Sequence, residues 1–424
     1  MAKKVDQDKV KKATGVAVAA TAAGAAYAAG KKKKKLFIAL AIILVVIVVA
    51  AVIYGYYHGW FDAILHPQTE TPIGGTGGDG TGGDGAGGGG TVADMKIYFL
   101  ELGNQYTGDC VYIKAGDVDI LIDAGSRGAS ASTICKFVDQ YCKDGVLEYV
   151  IATHAHQDHI EGFVGTSTVK GVLDYYKVET LIKYVRTNAT SNVSKNFANK
   201  VTEVQSKGTN VYTAAECVEN TNGAQKVYEI TDGITMEILD QRFYHEKASD
   251  ENDYSVCTLF THGDNHYLFT GDLEEKGETS LVELNPDLPQ VELYKGGHHG
   301  SYTAGNEVLL SKIQPKNICI CCCAGNVEYL TGSTYDKQNL SHSFPAQEFI
   351  NRIAQYTDSV YVTTRGFIKD NGKKWVNDGC ESMNGNITFS CISGIIEIHG
   401  SNNDLKLKDT EWFKNNRDCP EAWK

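Results

Sequence analysis

The sequence predicts an α/β fold of two packed β-sheets covered by helices, joined through a glycine-rich linker to a single membrane-spanning helix. Three observations predict it. Short alternating or apolar runs, broken by Gly and Asp, recur through residues 95–400 with helical stretches between and outside them. Strands that arrive in runs among helices pack as sheets with helices on their outer faces. Residues 36–53 are eighteen apolar residues without a charge, and residues 74–90 hold twelve Gly, two Asp, two Thr and one Ala.

The 424-residue chain divides into four segments: a Lys/Ala-rich tail over 1–35, a transmembrane helix over 36–57, a glycine-rich linker over 58–93 and a globular domain over 94–424. The tail carries ten Lys against two acidic residues. The apolar run makes about 27 Å of helix, close to the hydrocarbon thickness of a bilayer. Tyr54, Tyr56, Tyr57 and Trp60 form an aromatic belt at one end, beside His58, and Lys31 to Lys35 flank the other. Positive residues stay inside, so the N-terminus is expected in the cytoplasm and the domain outside the cell, on a single-pass anchor. A cleaved signal peptide fits less well, because the apolar run is too long and ends in bulky aromatics. The linker buries nothing and behaves as a flexible tether.

Composition excludes disorder for the globular part, since 42% of the chain is apolar and 10% aromatic. The net charge of −12 becomes −20 once the tail is set aside. Such acidity disfavours nucleic acid as a general partner, because non-specific affinity comes from Lys and Arg neutralising phosphates.

Within the domain, MKIYFLELG, DCVYIKAG and DVDILIDAG read as strands, SASTICKFVDQYCKDG as a helix, and LEYVIATH as a strand. A helical region to about residue 206 follows. NVYTA, KVYEI, ITMEIL, SVCTLFTH and HYLFTGD are strands, then VELYKGG and NICICCC. AQEFINRIAQY is a helix before SVYVTTRG, NITFSCI and GIIEIHG. Twelve Cys in an outward-facing domain invite a disulfide framework, but their positions argue against one. Cys319, Cys321, Cys322 and Cys323 alternate faces of one buried strand, and Cys135 and Cys142 lie two turns apart on the expected helix. Free, buried thiols are expected.

LEYVIATH ends in His154-Ala155-His156-Gln157-Asp158-His159. Three His and one Asp in six residues after a strand are hard to explain as packing. Imidazole and carboxylate hold Zn, Mn or Fe, and a loop at a strand end lets them converge. This HxHxDH pattern resembles the signature of the metallo-β-lactamase superfamily. Asp123 in ILIDAG resembles the aspartate that supports the His loop from behind, and Asp272 in YLFTGD the carboxylate that bridges two metals. His298 and His299 in LYKGGHHGS and His342 in NLSHSFP resemble motifs of the branch holding ComEC-type hydrolase domains and teichoic-acid phosphorylcholine esterases.

The resemblance implies an αββα sandwich and a metal set of His154, His156, Asp158, His159, Asp272 and His299. It implies one or two Zn2+ ions, with Mn2+ or Fe as alternatives. Asp158, His298, Lys295 and His342 are the expected catalytic residues, Lys295 by stabilising oxyanion charge. The expected activity is metal-dependent hydrolysis of a phosphodiester in the cell envelope or a nucleic acid. The alternatives are a β-lactam or lactone hydrolase and an inactive binding module. Two departures stand out. Glu161-Gly162 replaces the usual Gly-Gly after the signature, and the third His of the first metal has only His245 as a candidate by order. His262 and His266 are expected on a solvated hairpin, and the pocket walls on the loops after Gly162.

Overall fold

The alternating runs become sixteen strands among the described residues, which are 92–327 and 337–424 of a computed structural model. The first six are β1 (Met95–Phe99), β2 (Val111–Ala115), β3 (Val118–Ile122), β4 (Val146–Ala152), β5 (Lys177–Lys183) and β6 (Asn210–Thr213). Next come β7 (Val227–Thr231), β8 (Ile234–Leu239), β9 (Cys257–His262), β10 (Asn265–Phe269), β11 (Leu293–Lys295), β12 (Asn317–Ala324), β13 (Val360–Asp370) and β14 (Trp375–Ser382). The last pair is β15 (Ile387–Ile392) and β16 (Ile395–Gly400). One sheet runs β16-β15-β1-β2-β3-β4-β5-β6 and the other β14-β13-β12-β11-β10-β9-β8-β7.

The helices are α1 (Ser130–Val138), α2 (Gln157–Val164), α3 (Val172–Tyr175), α4 (Asn192–Ser206), α5 (Ala214–Glu219), α6 (Glu275–Leu284), α7 (Glu307–Ile313), α8 (Gln347–Ile353) and α9 (Glu411–Asn416). Connection length decides strand direction. The two-residue turns Gly116-Asp117 and Gly263-Asp264 start with a left-handed Gly and join β2 to β3 and β9 to β10 as antiparallel hairpins. Where α1, α6, α7 or α8 crosses between strands, the pairing is parallel: β3–β4, β10–β11, β11–β12 and β12–β13.

The sheets meet face to face through aromatic rings, Phe99 on Phe269 at 6.4 Å and Tyr267 on Phe389 at 5.3 Å between centroids. Strand β12 is buried on both sides. Cys319 and Cys321 join the core that holds those rings, and Cys322 joins the core with Leu309 and Phe349 beneath the helices. A strand with parallel neighbours and two covered faces carries small apolar side chains on both, which thiols supply. All twelve cysteines lie among the described residues and are free.

Several expectations need correction. The supposed helical region before residue 206 contains β5, held between β4 and β6 by parallel pairing, with Val178, Leu181 and Ile182 buried. Helix α1 ends at Val138, so Cys142 lies beyond it; the chain turns back through bonds from Tyr141 and Cys142 N–H to Val138 O. Strand β14 was not foreseen. His262 is buried, not solvated: its ring bonds to Ala93 O (2.7 Å) and Tyr267 Oη (3.2 Å). The tail, the transmembrane helix and all but the last two residues of the linker lie outside the described residues. Among the described residues no helix is long and apolar enough to cross a membrane.

Candidate metal centre

The site forms where the C-terminal ends of strands from both sheets meet. After β3 the chain turns at Asp123, whose φ of 58° is left-handed. After β4 come Thr153, His154 and His156, and α2 then starts, so Asp158 and His159 lie on its first turn. Across the sandwich, β10 leads to Asp272 and β11 to His298 and His299, both with positive φ (42° and 54°). Left-handed backbone is uncommon outside Gly, and three such residues in one site mark loops bent to aim side chains inward.

Asp272 lies at the centre. Its Oδ2 is 3.0 Å from His159 Nε2, 3.2 Å from His299 Nε2, 3.8 Å from His298 Nε2 and 4.0 Å from His154 Nε2. Asp158 Oδ2 lies 3.1 Å from His299 Nε2, and His154 Nε2 lies 3.0 Å from His156 Nδ1. Asp158, His159, Asp272 and His299 offer four donor atoms within 4.8 Å of one another.

The supports lie beneath these groups. Asp123 accepts from His159 Nδ1 (2.7 Å), Thr153 Oγ1 (2.7 Å) and Thr153 N (2.8 Å), which leaves His159 Nε2 facing Asp272. His299 Nδ1 donates to Cys321 O (2.8 Å), so its Nε2 also faces inward. Buried Glu251 accepts from Ala155 N (3.2 Å) in the His loop. Asp272 N donates to Ser255 Oγ (3.1 Å), and that hydroxyl lies 3.5 Å from His154 Nδ1.

The charge balance calls for cations. Asp109, Asp123, Asp158 and Asp272 are all buried, and Lys295 is the buried ammonium among them. Burial is the largest single influence on His159 and His299 and disfavours an imidazolium. The surrounding carboxylates together outweigh it, Asp272 foremost, with Asp123 and Asp158 at His159 and Asp109 and Asp158 at His299, and lift both well above the ordinary histidine range. At His154 burial prevails, joined by His159 and His156, and its pKa falls well below the ordinary value. A neutral imidazole is what a metal requires of a ligand. Mixed imidazole and carboxylate donors around excess buried negative charge fit one or two divalent cations.

The site opens into a cleft of about 550 Å³. His156, Asp158, Asp272 and His298 form its floor, with Arg127 and Tyr302 among its walls. The walls therefore come from the loops after β3, before β9, after β11 and after β12, not from those following Gly162.

Other expected residues lie elsewhere. His342 sits on the cleft wall, paired with Glu348 (3.1 Å) and against the Tyr302 ring (5.0 Å), outside the ligand cluster. Lys295 lies behind the ligands, in contact with Asp109, 3.6 Å from Asp272 Oδ1 and donating to Gly271 O at 3.1 Å. It does not line the cleft, so it holds carboxylates in their charged form and does not meet an oxyanion there. His245 is exposed and paired with Asp240 (2.8 Å), so it is no ligand.

Three residues escaped the sequence reading. Asp109 contacts both Lys295 and His299, Glu274 lies 3.2 Å from His298 Nδ1, and Ser255 links His154 to Asp272. Only Ser255 lies in a segment that stands out, the polar run Asn252-Asp253-Tyr254-Ser255. Asp109 stands alone in GDC, and Glu274 is one of an acidic pair with Glu275 that matches no ligand pattern.

Known proteins resemble the chain in part. ComE operon protein 3 of Bacillus subtilis is 28% identical over 180 residues, 41% of this chain and 20% of its own length. Competence protein ComA of Neisseria gonorrhoeae is 35% identical over 85 residues, and Recombination protein 2 of Haemophilus influenzae 34% over 83. These stretches cover 20% of this chain in each case, and 12% and 10% of the two relatives. The chain thus spans a fifth or less of the length of these curated relatives. Among solved structures, the metallo-beta-lactamase fold protein YhfI of Bacillus subtilis aligns with a TM-score of 0.36 at 12% identity, covering 63% of this chain and 95% of that one. The diiron β-hydroxylase CmlA of Streptomyces venezuelae aligns with a TM-score of 0.30 at 13% identity, covering 64% and 44%. The family model described as "Metallo-beta-lactamase superfamily" matches residues 103–323, which run from just after β1 through the His loop, Asp272 and the His pair into β12. That match takes in just over half of the chain, and the chain belongs to the metallo-beta-lactamase superfamily.

Proposed function

We propose that the domain is a metal-dependent phosphodiester hydrolase held at the outer face of a membrane. The observation that carries this reading is the position of Asp272 Oδ2, 3.0 Å from His159, 3.2 Å from His299, 3.8 Å from His298 and 4.0 Å from His154. One carboxylate oxygen within 4.0 Å of four imidazoles suits a ligand shared by two cations. His154 and His156 would hold one, Asp158, His159 and His299 the other, and Asp272 both. Zn2+ suits these donors, and Mn2+ or Fe would also fit. Such cations, when bound, bring the pKa of water towards neutrality and polarise a phosphoryl oxygen.

The chain's own residues supply the rest. Asp123 and Glu251 hold the His loop, and Lys295 keeps Asp109 charged. His298 lines the cleft, and Glu274 holds its Nδ1. His298 Nε2 is then the atom placed to give a proton to the departing oxygen.

A carboxylate at 272, where many antibiotic-hydrolysing members have Cys, supports a phosphoester substrate. Relatives named for competence and recombination support a nucleic acid, whereas the acidity of the domain supports a smaller or wall-bound diester. Metal analysis, with hydrolysis of bis-p-nitrophenyl phosphate, single-stranded DNA and a phosphorylcholine ester, tests the reading. Asp272→Ala should lose metal and activity at least as severely as Asp158→Ala, which leaves His154 and His156 able to hold one cation. Full metal and full activity in Asp272→Ala would remove the two-cation mechanism.

A further inference from the structure

Glu278 is a fully buried carboxylate on α6, and its partners all lie in one loop. It accepts from Gly305 N (2.6 Å), Asn306 N (2.8 Å) and Asn306 Nδ2 (2.8 Å). Arg352, on α8, reaches the same loop and donates to Tyr302 O (2.8 Å), Ala304 O (2.8 Å) and Gly305 O (2.9 Å). A carboxylate thus takes the loop's N–H groups and a guanidinium takes its carbonyls.

Stability alone does not call for this arrangement. Buried ionic groups carry a desolvation penalty, and apolar replacements of similar volume are often as stable or more so. What the clamp holds is the stretch that follows His298 and His299 directly. Thr303 Oγ1 lies 3.2 Å from His298 Nδ1 and donates to Glu274 Oε1 at 2.9 Å. Glu274 occupies the N-cap position of α6, four residues before Glu278. One helical turn therefore ties the acid that orients His298 to the acid that anchors the loop.

We infer that Glu278 and Arg352 are positioning residues that act through Thr303 to hold the His298 imidazole in its proton-donating orientation. The inference rests on the hydrolase reading, in which His298 serves the leaving oxygen.

The metal-loaded full chain provides the test, with methyl phenyl phosphate and methyl 4-nitrophenyl phosphate as substrates. A proton donor matters for the poor phenolate leaving group and little for nitrophenolate. Glu278→Gln and Thr303→Val should each lower kcat for the phenyl ester about tenfold or more, the size expected when a catalytic group is misplaced. KM, metal content and the nitrophenyl rate should change little. In a His298→Ala background neither substitution should cause further loss, because coupled residues are not additive. Thr303→Val leaves the buried clamp intact, so it still tests the link if Glu278→Gln folds poorly. Equal losses on both esters, additive losses with His298→Ala, or wild-type rates in both variants would overturn the inference. If the wild-type chain hydrolyses neither ester, the hydrolase reading fails on its own account. The nitrogen NMR shifts of His298 in the metal-free protein then decide the coupling: they should move in both variants, and unchanged shifts sink it.

Discussion

His262 shows how far a residue's role depends on what packs over it. Between Thr261 and Gly263, beside a two-residue turn, it reads as a solvated hairpin residue. In the fold Ala93 O comes within 2.7 Å of Nε2, across 169 residues of chain, and the ring is buried. His262→Ala should therefore cost about 1–3 kcal/mol in stability by leaving buried partners unpaired, with metal content unchanged. Its pH dependence follows. Burial lowers the His262 pKa below the ordinary 6.5, against the pull of Ala93 O and Asp94. The unfolded chain then takes up the proton at higher pH than the folded one. The penalty is absent above about pH 6.5 and grows as pH falls through the folded pKa. Urea midpoints at about pH 7.5 and about pH 5.5 should fall less on acidification in His262→Gln than in the wild type. An equal fall in both would remove the argument.

Helix α2 explains why the departure at Glu161-Gly162 is tolerated. Glu161 is half-exposed and accepts a bond from Gln157 one turn earlier. Gly162 faces the other way: its N–H donates to Ala124 O, and a Cβ there would lie 2.1 Å from that oxygen. The close approach seats α2, and with it Asp158 and His159, against the turn that carries Asp123. Gly162→Ala should cost about 1–3 kcal/mol and loosen the metal site, as overpacking does. Glu161→Gly should cost about 1 kcal/mol, the helix penalty of Gly, with full metal retained. Thermal unfolding together with zinc stoichiometry separates the two, and a metal-replete, wild-type-like Gly162→Ala would contradict this account of the seat.

At the scale of the whole chain, the domain carries its site at the end of a sandwich, and the sequence predicts a glycine-rich tether before it. If residues 58–93 are the exposed tether that the sequence predicts, protease added to intact cells should release a fragment that begins within them. Protection until the membrane is broken would reverse the predicted orientation. The expectations of a tether and an anchor rest on local properties, hydropathy over eighteen residues and twelve Gly within residues 74–90, and both segments lie almost wholly outside the described residues.

The same division of labour runs through the domain. His154, His156, Asp158 and His159 lie within six residues of one another, so their convergence is written into one loop and the helical turn that follows it, and shows in the sequence. The strands with strong alternation show there too. Strand β5 does not, because its pairing with β4 and β6 outweighs a local pattern that also suits a helix. Asp109, Ser255 and Glu274 reach the site from separate loops, and Lys295 was legible as a charge near it but not as one turned away from the cleft. Spacing along the chain records which groups share a loop. Which buried charges face one another across two sheets depends on strand order and loop curvature, and those are set only when the sheets pack.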